Sequence, residues 1–221
     1  MQQQLIWFLR ILIVIQSLGY AAKLAAPSAL NSYLLGSMGG SFVSGLDHAV
    51  WLFLLFASVA LLVLGFLRPA VSSVLGKVDF ALLGLLALWP FTLAVFSWLN
   101  NMGDAFHATD PIGHAVRFAA PLALVILSFN PNQLWQNRVD WLLRLSVAGA
   151  FIGHGLCAWW IKPSFIDLIV GTLDTVLGQD LAASASRQTY AEASLPVIAV
   201  QDFILVALLL LPNRKIRTVA M

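Results

Sequence analysis

The chain has 221 residues, of which 60% are hydrophobic and only 10% charged, with a formal net charge of +2. Soluble domains carry roughly 25% charged residues, and a water-soluble chain of this length has too little interior to hide so much apolar surface. A soluble fold is therefore excluded, the absence of a basic tract argues against a nucleic-acid partner, and the single cysteine, Cys157, leaves no intrachain disulfide and no Cys-rich metal cluster.

A bilayer-spanning helix needs about 20 mostly apolar residues. The first such window covers 5–26; its leading sequence, MQQQLIWFLR, lacks an early basic cluster and a small-residue cleavage site, so it reads as an uncleaved helix. An apolar connection follows over 27–46, broken by Gly36, Gly39 and Gly40. The second window covers 46–67. The third covers 79–99, and no charge occurs between Asp79 and Asp104. The fourth covers 113–129 and the fifth 140–160. Residues 163–194 mix apolar positions with Asp167, Asp174 and Asp180 at helical spacing, as an amphipathic interfacial helix would, or as an ordered cap over the bundle. The sixth window covers 195–211. Pro27, Pro69, Pro111, Pro131, Pro163 and Pro212 fall at boundaries, whereas Pro90 and Pro121 lie inside windows, where neighbouring helices can satisfy the freed backbone.

These windows predict an all-α polytopic membrane bundle of about six transmembrane helices, in one membrane domain over 1–221 and in contact with the lipid bilayer. Lys and Arg collect on the cytoplasmic side. Arg10, Arg68, Lys77, Arg138, Arg144, Arg214, Lys215 and Arg217 share one set of ends, and Lys23, Lys162 and Arg187 the other. This predicts both termini in the cytoplasm, in a bacterial inner membrane. Asp47, Asp104, Asp110, Asp167, Asp174, Asp180 and Glu192 then fall outside.

The first and fifth windows align without gaps: Trp7, Leu9, Arg10 and Gly19 match Trp141, Leu143, Arg144 and Gly153, and a two-residue shift brings Pro27-Ser28 onto Pro163-Ser164. Both copies start on the same side, so helices 5–6 read as a partial parallel repeat of helices 1–2. Inverted repeats mark many transporters, so this pattern argues against that class.

The arrangement LRILIVIQSLGYAAKLAAPS, recurring as LRLSVAGAFIGHGLCAWWIKPS, resembles the DoxX-like membrane proteins. The resemblance implies a four-helix unit over 5–130 with two further helices over 140–212. It also implies a redox setting, since that family includes subunits associated with thiosulfate–quinone oxidoreduction.

All four histidines fall in the predicted outer half. Imidazole is the usual protein ligand for haem, copper and zinc. His48, His114 and His154 lie at similar depth and offer facing pairs for a haem b, with Gly153 and Gly155 leaving room for a flat macrocycle. His48 and His107 also fit a role as solvated interfacial residues, and His154 a role in helix packing. Asp104, His107, Asp110 and His114 recur every three or four residues; His107, Asp104 and Asp110 form a candidate metal set, although Pro111 interrupts the stripe. Arg117 lies one turn into the fourth window and cannot escape hydrocarbon by losing its proton. It either snorkels outward or pairs with an anion, with Asp202 and Asp47 as the protein candidates and a cofactor carboxylate or lipid headgroup as others. Arg10 and Arg144 complete the set of intramembrane polar residues. No nucleophile elbow, phosphate loop, HExxH, CxxC or GxGxxG occurs. The expected function is an integral subunit of a redox-linked membrane assembly, alongside other membrane subunits, holding a haem or quinone near the outer face. A non-catalytic scaffold subunit and a small-solute or proton-coupled transporter are the alternatives.

Overall fold

The structure, a computed structural model, describes residues 2–24, 26–35, 37–38, 40–67, 73–129, 132–178 and 184–211. Among these it is all-α. The helices are α1 (Gln2–Lys23), α2 (Ala29–Leu34), α3 (Gly40–Leu67), α4 (Val74–Asn100), α5 (Ala105–Ala108), α6 (Asp110–Gly113), α7 (Ala115–Phe129), α8 (Gln133–Trp159), α9 (Pro163–Leu177) and α10 (Ser184–Leu210). Five of them, α1, α3, α4, α8 and α10, are long and apolar enough to cross a membrane. The fourth predicted span is present as α7, an apolar helix of only 15 residues. Between 22% and 39% of the apolar window of each long helix is buried within the protein, so most of every span faces lipid. Phe8, Phe42, Phe56, Phe66 and Val74 are among the exposed apolar side chains. The chain is an integral membrane helix bundle.

Besides α1, which begins at Gln2, four helices start earlier than their hydropathy windows. α3 begins at Gly40, α4 at Val74, α8 at Gln133 and α10 at Ser184. Hydropathy registers the apolar stretch, whereas a cap sets the helix end. Ser73 accepts from Gly76 N–H at 3.0 Å and Asn132 from Trp135 N–H at 3.0 Å, each satisfying a donor that the first turn leaves without a partner. The connection read as loop over 27–46 thus contains α2 and the first two turns of α3, and the segment 163–194 is divided between α9 and α10. Gly178 follows α9 with φ 84°, a conformation that glycine adopts without strain. Arg68, Asp180, Arg214, Lys215 and Arg217 fall outside the described residues.

The long helices alternate in direction, which puts α2, α5, α6 and α9 at one end of the bundle, called here the capped end. α1 packs on α3 and α7, α4 on α7, α7 on α8, and α8 on α10. The main core joins Leu9, Ile13, Leu54, Leu61, Leu83, Leu124 and their neighbours from α1, α3, α4 and α7, reaching Val139 at the start of α8. A smaller cluster of Ala158, Leu195 and Ala199 seats Phe165, Ile166 and Ile169 of α9 and Phe203 of α10. The two repeated segments share one layout, a long helix, a short helix after Pro-Ser or opening on it, and a long helix packed back on the first.

The matched arginines of the repeat behave differently. Arg10 is buried and grips Asp79 of α4 through two hydrogen bonds of 2.8 Å, while also donating to Leu61 O of α3 at 2.9 Å. Its path is open because residue 65 is glycine; a Cβ there would lie 2.7 Å from Arg10 Cδ. Arg144 is satisfied within its own helix, by Asp140 one turn earlier and by the ring of Trp141. One arginine therefore ties three helices together and the other ties none.

Candidate functional site

At the capped end, α1, α4 and α7 diverge around a cavity of about 270 Å³. α1 contributes Tyr20 and Lys23, one turn apart on the same face. α4 contributes Trp89, Leu93 and Ser97, and the start of α7 brings His114 and Arg117. The entry to α7 is pinned to α1 by Gln16 Nε2, which donates to Arg117 O at 2.7 Å. The Arg117 guanidinium sits over the Tyr20 ring, its carbon 5.9 Å from the centroid, with Nη1 3.5 Å from the phenol oxygen.

Two serines line the same cavity, and both have committed their protons. Ser28 donates its hydroxyl to Asp47 at 2.6 Å, and Ser97 donates to Asp110 at 2.5 Å. Ser28 Oγ also accepts from the Asn31 N–H at 3.0 Å, and each serine holds a carboxylate behind it. The remaining wall is apolar: Leu24, Leu93 and the Trp89 ring. The Trp89 indole N–H is buried without a hydrogen-bond partner among the described residues, a costly state for a polar group away from water. The cavity can thus offer cationic and phenolic donors, serine acceptors and a flat apolar wall.

The structure sorts the predicted residues into separate places. His114 and Arg117 line this cavity. His48 lines a second, more open cavity of about 490 Å³ with Asp47 and Asn31, and stacks on Trp51 at 5.7 Å. Leu24, Ala26 and Pro27 form the wall between the two. His154 is exposed, with its ring 5.8 Å from that of Phe165. The glycines beside it leave no slot. A Cβ on Gly153 would lie 2.6 Å from Gly113 Cα, and one on Gly155 would lie 2.9 Å from Phe203 Cε1. Backbone therefore meets backbone beside His114 and His154, and the room expected at these two glycines for a flat macrocycle is taken up by helix contact.

His107, Asp104 and Asp110 do not converge either. Asp104 caps α5 and bonds His107 Nδ1 at 2.7 Å, while Asp110 is held by Ser97. The backbone N–H of Phe106, and after it the His107 imidazole, hold the Asp104 carboxyl below its usual range. Among the described residues no group of three or more His, Cys, Asp or Glu side chains is placed to hold a metal ion.

Arg117 does not meet Asp202. Asp202 is buried against α8, its Cβ 3.2 Å from where a Cβ on Gly155 would stand. Arg117 faces α1, on the other side of α7. Asp47 is also engaged, by Ser28 and Asn31.

No protein-family profile, curated protein or solved structure matches this chain.

Sequence reasoning found His114 and Arg117 but missed Tyr20, Lys23, Trp89 and Ser97 as cavity residues. Tyr20 and Lys23 carry a visible signal, since each pair 20/23 and 114/117 places two polar groups on one helical face at the edge of an apolar window. Trp89 and Ser97 carry none, because an aromatic and a serine within a span are indistinguishable from packing residues until the neighbouring helices are in place.

Proposed function

We propose that the chain is an integral subunit of a redox-linked membrane assembly that binds a quinone-type headgroup in the cavity between α1, α4 and α7. The supporting observation is the composition of that cavity. A quinone needs a flat apolar wall and donors for its carbonyl oxygens, and its reduced form also needs acceptors for two hydroxyl groups. The Trp89 ring with Leu93, the Tyr20, Lys23 and Arg117 donors, and the Ser28 and Ser97 oxygens are of those three kinds. The resemblance to DoxX-like proteins points the same way, and in this reading other membrane subunits supply the electron partner. A quinone brings two-electron chemistry with it; this chain's residues bind and orient the headgroup and exclude bulk water from it. Titrating the purified protein with a water-soluble short-chain quinone is expected to give saturable binding, weakened about tenfold by Arg117→Leu, the scale of one charge-assisted hydrogen bond. Partition that rises without saturation and is unchanged by Arg117→Leu overturns the reading.

In this proposal the capped end faces outward and both termini lie in the cytoplasm of a bacterial cell; the distribution of basic residues supports that orientation. Single cysteines placed at Ser73 and Ala108 are expected to react with an impermeant maleimide from opposite sides of the membrane. Reaction from the same side would overturn the helix count.

A further inference from the structure

We infer that this cavity selects an acidic amphiphile, with Lys23 and Arg117 holding its oxyanion. The inference rests on the cavity being the ligand site proposed above, and it adds the charge of the ligand.

Two cations line the cavity, Lys23 from α1 and Arg117 from α7. The ion pairs among the described residues are Arg10–Asp79, His107–Asp104, Arg144–Asp140 and Arg187–Asp174, and neither Lys23 nor Arg117 belongs to any of them. Two carboxylates stand close behind the cavity, but both are turned to neutral donors. Asp47 accepts from the Ser28 N–H and hydroxyl and from Asn31 Nδ2, at 3.0, 2.6 and 2.8 Å. Asp110 accepts from the Ser97 hydroxyl. The carboxylates are thus bonded to serines and an asparagine, while Arg117 rests on the neutral Tyr20 ring and Lys23 belongs to no ion pair among the described residues. Arg117 cannot discharge by deprotonation, and a cation partly removed from water is stabilised by an anion at the same depth. The site itself supplies phenol and guanidinium donors for that anion, and Leu24, Leu93 and the Trp89 ring for the apolar body attached to it. A neutral headgroup would use the wall and leave the charges unmatched.

The test uses the full chain in nanodiscs of zwitterionic lipid and two probes of nearly equal shape, a hydroxynaphthoquinone, whose ring hydroxyl is ionised at neutral pH, and its neutral methyl ether. The ionised probe is expected to bind about tenfold more tightly, the scale of one charge-assisted hydrogen bond, with affinity falling as salt is raised. Lys23→Gln and Arg117→Gln are each expected to weaken the ionised probe by clearly more than they weaken the ether, so that most of the preference is lost; Lys23→Gln, at the end of α1, keeps the test open should Arg117→Gln fail to fold. Adding phosphatidylglycerol to the discs separates two sources of the oxyanion. Displacement of the ionised probe assigns it to a lipid headgroup, undisturbed binding to a free amphiphile, and both support an oxyanion site. Equal binding of the two probes overturns the inference and leaves the quinone reading standing. Binding of neither overturns both.

Discussion

Replacing Arg10 by leucine is expected to destabilise the bundle by about 3–5 kcal/mol, because it leaves Asp79 as an uncompensated charge in a dry site. Both side chains are about 95% buried, at 5% and 6% exposure. The same loss is expected for Asp79→Leu, which orphans the guanidinium and leaves only its bond to Leu61 O. The double replacement removes both charges and should cost clearly less than the two single losses added. Thermal or denaturant unfolding in detergent, followed by circular dichroism, measures all three. Strictly additive losses would show that the pair does not carry the coupling between α1, α3 and α4. Gly65→Leu provides a separate probe, since it blocks the path of Arg10 across α3 without touching either charge.

The second large effect is expected at Asp47. It accepts from the Ser28 N–H, the Ser28 hydroxyl and the Asn31 amide, and is itself 8% exposed. Asp47→Ala takes the acceptor from three buried donors, at about 1–3 kcal/mol for each left unsatisfied, so a total loss of about 3 kcal/mol or more is expected. Asp47→Asn keeps one acceptor oxygen and should cost about half as much. Because Pro27 stands at the wall between the two cavities and Ser28 lines the smaller one, the alanine variant should also weaken ligand binding and speed proteolysis between α1 and α3. Wild-type unfolding and proteolysis in Asp47→Ala would remove the role assigned to this carboxylate.

The spans were legible in the sequence because the bilayer imposes its own length on the chain. Where hydropathy misplaced an end, the polar turn of a capped helix continued past the apolar stretch, as at Asn132 and Ser73. Arg10 and Asp79 were each visible as charges at the edge of an apolar window, but their pairing joins residues 69 apart and depends on Gly65, which only the packed helices bring into position. The candidate site divides similarly. Charges and imidazoles stand out against an apolar background, so His114 and Arg117 were found. Depth along a helix does not say which way a side chain points, so His48, His154 and Asp202 were grouped with them although they face other neighbours. The glycines flanking His154 were read as room for a ligand; a missing side chain also permits close helix contact, and here α6 and α10 occupy that space.

α7 has a further consequence. Its 15 residues cover about 22 Å at 1.5 Å per residue, against a hydrocarbon core of about 30 Å. α7 alone therefore falls short of the hydrocarbon thickness, and the short helices α5 and α6 precede it at the capped end. The bundle therefore has a hydrophobic mismatch on one flank only. Beside α7 the bilayer must thin, or water must follow the chain inward. Membrane thickness then becomes a variable of the cavity. In a thin bilayer Arg117 lies near the headgroups and its cavity opens to water, whereas in a thick one acyl chains climb toward α6 and narrow that route.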